Sequence, residues 1–264
     1  MSQVTLTNML EALHNSENMT VKIGSEWLNG RAAYGGLVAS LAVAGMSKIM
    51  PEQKQIRSLL VNFVGLVPSE RVTIEPTILR AGRSVTQAVC DVVLDGSILA
   101  HTSAAFGVDR KGIAAPSNAA FNPAARDTVP LLKEGVPFLP GFLKNFDIHW
   151  TGGGIPLSGT KDRMLSLWAR PKEDMSSHPA ARVIAVADLP PPVMMSHYTK
   201  PVNVCSLSWA LEFVCTPEDI ETDWFYLEYT LEAASGGYTQ QSGRIFDEHG
   251  NLCAISRQTM LYFE

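Results

Sequence analysis

From Leu37 to Met50 the chain is apolar except at Ser40, Ser47 and Lys48, and Pro51 stops the run. A helix on a protein surface pairs an apolar stripe with a polar face. This run has no such face, so as a helix it has to be enclosed by the rest of the chain. Ala39, Ala42, Ala44 and Gly45 let a neighbouring backbone come close. Tyr34-Gly35-Gly36 leads into it, and unpaired first-turn N–H groups with the helix dipole can receive a negative charge or a polarised carbonyl oxygen there. The same glycines also suit tight packing alone.

In chain order, residues 1–19 carry an amphipathic pattern (Leu6, Met9, Leu10, Leu13) that predicts a short helix. Val21–Trp27 alternates like a strand. After the buried helix come four strand-like runs, Ile56–Val67, Val72–Arg80, Ser84–Leu94 and Ile98–Val108, with turn signals at Ala81-Gly82-Arg83 and Asp95-Gly96. Residues 109–160 differ: Pro116, Pro123, Pro130, Pro137, Pro140 and Pro156 with Gly152-Gly153-Gly154 predict a linker or covering excursion. Then the order recurs: a strand at Arg163–Arg170 and an apolar helix at Pro179–Leu189, ended by Pro190-Pro191-Pro192. Four more strands follow at Val204–Val214, Trp224–Leu231, Tyr238–Phe246 and Leu252–Phe263.

The 264 residues are 46% hydrophobic and 18% charged, enough for a sizeable core, and the net charge is −5. Lys and Arg are scattered, so neither nucleic acid nor a charged membrane surface is an expected partner. No run has the length of a membrane span, and no secretory leader is visible. Cys90, Cys205, Cys215 and Cys253 lack paired spacing, which suits reduced thiols in a cytoplasmic protein. The six histidines never fall at ligand spacing, so no metal and no redox cofactor is expected.

Gly82 and Gly236, and Gly96 and Gly250, stand 154 residues apart, as do Gln87 and Gln241 and Ala100 and Ala254. Together with the recurring order, this reads as an internal duplication. The fold class is α+β: two repeats, each a long buried helix wrapped by a curved antiparallel sheet, which is a double hot dog. The repeats are expected at residues 1–110 and 161–264, joined by a proline- and glycine-rich linker at 111–160, with the sheets meeting edge to edge. Ala33-Tyr34-Gly35-Gly36, the turn Leu79-Arg80-Ala81-Gly82-Arg83-Ser84, and the stretch from Gly243-Arg244-Ile245-Phe246-Asp247 to Ser256-Arg257-Gln258 resemble the bacterial acyl-CoA thioesterase II family.

That resemblance implies hydrolysis of an acyl-CoA to free acid and CoA, with the thioester carbonyl at the helix amino end and backbone N–H groups stabilising its oxyanion. Tyr34, Gly35 and Gly36 are the expected substrate contacts there, and Arg83 a candidate for the CoA phosphates. The family acts with an Asp, a Thr or Ser, and a Gln. Gln258 matches the Gln, and alternation puts it with Ala254, Ser256 and Met260. Ser208 falls where the Asp is expected; it can hold water but not deprotonate it. Glu232 falls at the hydroxyl position, and Asp188, at the end of the second apolar helix, is the other carboxylate able to act as base. Asp188 opposes the dipole of its own helix unless something compensates. The acyl chain is expected among Leu60, Val64, Trp209, Leu211 and Met260. A homodimer is expected from the remaining sheet edges. A non-catalytic acyl-thioester binding protein and an enoyl-thioester hydratase remain open; hydratases of this fold usually carry an Asp and a His on the helix and its entry, where this chain has Tyr34 and no Asp in Gly36–Met50.

Overall fold

The fold is given by a computed structural model that describes residues 4–132 and 139–263. Pro137 and the outermost terminal residues lie outside that range. The first helix, α1 (Leu6–Asn15), is capped by Thr5, whose hydroxyl accepts from the Asn8 N–H while the Asn8 side chain accepts from the Thr5 N–H. Val21–Trp27, expected as a strand, is one only at its start: β1 (Thr20–Lys22) gives way to a 3₁₀ turn at Ser25–Trp27 that buries Trp27. Two short strands, β2 (Leu28–Asn29) and β3 (Ala32–Ala33), pair just before the buried helix α2 (Gly35–Lys48). Buried residues lie on all its sides, among them Leu37, Val38, Leu41, Ala42 and Met46.

Four long strands follow: β4 (Gln55–Phe63), β5 (Arg71–Ala81), β6 (Val85–Leu94) and β7 (Ser97–Gly107). The stretch expected as a linker contains β8 (Phe146–Gly153) and buries Phe142, Phe146 and Ile148. Its alternation is only a few residues long and is flanked by prolines and glycines, which hides it in the sequence. Ahead of β8 the chain crosses the outer face of the sheet, where Phe121 packs on Trp168, Tyr226 and Phe246. The remaining elements are β9 (Met164–Pro171), α3 (Pro179–Ala187), β10 (Asn203–Phe213), β11 (Phe225–Ser235), β12 (Tyr238–Asp247) and β13 (Leu252–Phe263).

All the long strands join one antiparallel sheet in the order β1-β5-β6-β7-β4-β10-β13-β12-β11-β9-β8. At its centre β4 pairs with β10, Trp209 opposite Val61 and Leu211 opposite Leu59. Helices α2 and α3 lie against the inner face and against each other, within one continuous core that also takes in the apolar side of α1. Trp209 is fully buried and donates its indole N–H to Ser256 Oγ at 2.9 Å, which satisfies the one polar atom this ring brings into the core. Gln87 and Gln241, equivalent by the 154-residue offset, face opposite ways: Gln241 is buried, whereas Gln87 is exposed opposite Ala105. Among the described residues, no helix is long and apolar enough to cross a membrane.

Candidate active site

The end of α3 is fixed before any chemistry is placed on it. The last carbonyls of a helix have no partner inside it. Here Tyr34, the N-cap residue of α2, donates its hydroxyl to the Ala185 carbonyl at 2.6 Å, and Tyr229 on β11 donates to the Ala187 carbonyl. Leu189 donates its N–H to the Val186 carbonyl. Tyr229 fits because Gly243, on the neighbouring strand, has no side chain: a Cβ there would stand 2.4 Å from the ring. Both phenols are buried and held well above their ordinary pKa, mainly by that burial, so they stay neutral donors.

Asp188 caps this anchored helix end. The carboxylate meets the amino end of α2, which lies beside the carboxyl end of α3. A Cβ on Gly35 would stand 2.7 Å from Asp188 Oδ2 and 2.9 Å from the Phe63 ring, so only glycine leaves room there. Tyr34 supplies no side-chain cap to α2. The Gly36 N–H at this helix start instead faces the Asp188 carboxylate and lowers its pKa, so the compensating charge comes from far along the chain. The dipole of α2 thus compensates the unfavourable dipole of α3. Burial lifts the Asp188 pKa to about 7, against the lowering effect of the Gly36 N–H and the Gln258 amide. Asp188 still keeps part of its surface open.

Two glutamines complete the surroundings. Gln258 Nε2 donates to Asp188 Oδ1 at 2.6 Å. Gln241 Nε2 donates to Gln258 Oε1 at 2.8 Å, and Gln241 Oε1 accepts from the Val193 N–H at 3.0 Å. The two face each other across β12 and β13 on the inner side of the sheet. Val193 follows Pro190-Pro191-Pro192 and carries the first N–H after them. Gln241 and Tyr229 are the residues that sequence reasoning missed as parts of this site. A legible signal existed for Gln241: it is a polar residue at an inward position of a strand that otherwise points Thr239, Gly243 and Ile245 inward.

The structure brings together Gln258, Asp188, Gly35 and Gly36, and separates the rest. Ser208 stands opposite Thr259 and Asn62, whereas its neighbour Trp209 stands opposite Gln258. Alternation therefore turns Ser208 to the outer face, and it cannot share a water with Gln258. Glu232 is the extra residue of a bulge between Leu231 and Ala233. It is exposed and accepts from the Ser242 hydroxyl, with the sheet between it and Asp188. Arg83 sits in the turn next to Val85, level with Gln55 at the start of β4; Phe63, which touches Gly35, ends that strand. Nine residues at about 3.3 Å each put the two ends some ~26 Å apart. Tyr34 is packed, not a contact surface for substrate: it is 2% exposed and its ring stacks on Phe142 at 4.1 Å. Of the expected lining, Trp209, Leu211 and Met260 face inward, but Leu60 is outward and 42% exposed, and Val64 is 63% exposed.

Comparison with known proteins addresses the family and the fold. The family description "Acyl-CoA thioesterase N-terminal domain" matches residues 23–107, and "Acyl-CoA thioesterase C-terminal domain" matches residues 118–262. No curated protein matches. Among solved structures, a hot dog fold protein of unknown function from Alicyclobacillus acidocaldarius superposes with TM-score 0.82 at 20% identity, covering 93% of this chain and 92% of its own. A tesB protein from Mycobacterium avium subs paratuberculosis gives 0.79 at 15% identity over 98% and 100%. Acyl-CoA thioesterase II TesB2 from Mycobacterium marinum gives 0.72 at 18% identity over 96% and 98%. At such identities these structures speak for the hot dog fold alone. The two family matches cover most of the chain, and the protein belongs to the acyl-CoA thioesterase family.

Proposed function

We propose that the protein hydrolyses acyl-CoA thioesters, with Asp188 as general base. One observation carries the reading: the Asp188 carboxylate accepts from the Gln258 amide at 2.6 Å and faces the glycine amino end of α2, where burial pushes its pKa up to about 7. A base whose pKa lies near the working pH is half-ionised there and still strong enough to take a proton. In this reading water gives its proton to Asp188 while its oxygen attacks the thioester carbon. The oxyanion is opposed by the first-turn N–H groups and dipole of α2. The C–S bond then breaks and Asp188 returns the proton to the CoA sulfur. Trp209, Leu211 and Met260 support an aliphatic or aromatic acyl group rather than a charged one.

The same reading takes residues 1–110 and 161–264 as two hot-dog repeats, supported by the mirrored strand order on either side of the β4–β10 pair. It takes the working form as a homodimer in the cytoplasm. The first is supported by apolar side chains on the outer face such as Leu60, Leu79 and Ile255, and the second by free thiols at all four cysteines. The test is release of free CoA from a panel of acyl-CoAs, followed with a thiol reagent. The parent protein should release CoA, and Asp188→Asn should lower kcat by about 10²–10⁴-fold. Loss of enoyl absorbance without CoA release would instead mean hydration, and tight binding with neither a binding protein.

A further inference from the structure

Amide groups are ambiguous by shape, since oxygen and nitrogen are nearly the same size, and a glutamine can face its neighbour either way. In this site the ambiguity is removed from outside. The Val193 N–H is backbone and can only donate, so the Gln241 side chain must turn its oxygen to it. That leaves the Gln241 NH₂ toward Gln258, which must answer with its own oxygen. The Gln258 NH₂ is then the group left to meet Asp188. Reversing either amide would set oxygen against carboxylate, or donor against donor, in a buried row. Gln241 and Gln258 are 1% and 4% exposed, so bulk water is not at hand to repair such a clash.

We propose that Gln241 is a positioning residue of the hydrolytic site, a relay that carries the fixed polarity of the Val193 N–H to Gln258, so that nitrogen and not oxygen faces Asp188. The inference rests on the proposed role of Asp188 as base. A donor on the carboxylate favours its charged form, so loosening the relay makes Asp188 harder to ionise. The titratable groups facing Asp188 are Tyr34 at the start of α2 and Tyr229 on β11, both neutral. The other groups acting on it are the Gly36 N–H and Gln258. None of these compensates for a lost donor by titrating in the same range.

The experiment follows the Asp188 carboxyl by NMR of the full chain labelled with ¹³C-carboxyl aspartate, the resonance being assigned by its absence in Asp188→Asn. In Gln241→Met the midpoint should move upward by about one pH unit. kcat at pH 7 should fall about fivefold, as the ionised fraction of Asp188 drops, with KM for acyl-CoA little changed. Adding Gln241→Met to Asp188→Asn should slow the enzyme no further, because both act through one carboxylate. Gln241→Asn, which keeps the amide but is too short to span both partners, should shift the midpoint the same way and decides the matter if the Met variant does not fold. An unmoved Asp188 midpoint in a folded variant overturns the relay. A parent protein that releases no CoA overturns the proposed function instead, while the titration still judges the relay.

Discussion

Asp188 sits at the wrong end of its own helix, and the amino end of α2 together with the Gln258 amide makes its charge tolerable. The tolerance is incomplete, and that has a sign. An unfolded aspartate titrates near ~3.9 and the folded one near 7, so between those values the folded chain holds a proton that the unfolded chain has lost. Stability therefore falls as pH rises through this window, and the whole penalty is present above it. Three units correspond to a ceiling of roughly 4 kcal/mol. Asp188→Asn removes the ionisation, so its melting temperature should exceed that of the parent by more at pH 8 than at pH 5. Calorimetry at the two pH values checks this; an equal difference at both would mean the carboxyl is not held near 7. Activity should run the other way, halving near pH 7 and dropping about tenfold per unit below it as the base becomes protonated. Of the four residues the sequence suggests, the structure brings Asp188 and Gln258 together and leaves Ser208 and Glu232 on the outer face. Counting back from Gly243 assigns a position but not a face: Leu231 is buried on the inner side, so alternation turns Glu232 to the outer one.

At the scale of elements, β2, β3 and β8 are not legible in the sequence, whereas the long strands β4–β7 and β9–β13 and the helices are. Periodicity and turn glycines fix them locally: each of the four strands from β10 to β13 begins and ends within a few residues of its expected range. The pairing of the two helix ends was not legible, because it depends on contacts between residues some 150 positions apart, such as Tyr34 with Ala185. The anchoring of α3 yields its own test. Gly243→Ala forces a methyl into the Tyr229 ring, which costs about 1–3 kcal/mol by overpacking. It should also pull the phenol from the Ala187 carbonyl and misplace the next residue, Asp188. Tyr229→Phe leaves that buried carbonyl without its donor, at a similar cost of about 1–3 kcal/mol. Denaturant melts should show both losses, and kcat should drop in both. A Gly243→Ala protein as stable and active as the parent would show that the ring is not held as described.

Across the whole molecule, the central β4–β10 pair is what turns two helix-and-sheet halves into one body. A chain cut to residues 1–110 uncovers the β4 edge and the side of α2 that α3 covers. An open, apolar edge is a template for further pairing. The fragment should therefore appear as dimers and larger assemblies in sedimentation, and it should lack hydrolytic activity. A stable monomer would mean the seam contributes little.

That seam also divides the chemistry. The first half provides the helix end with its glycines, and the second provides the acid and both amides. Where the 154-residue offset would put a second Gln258, the first half has Ala104, with Ala88 opposite. The helix end that would answer to Gly35-Gly36 begins with Pro179, which has no N–H to offer. Among the described residues, the proposed centre is thus assembled once, from unlike contributions of the two halves. A chimaera that takes residues 1–110 from one relative and the remainder from another inherits activity only if the donor glycines and the recipient acid still meet, however well each half folds.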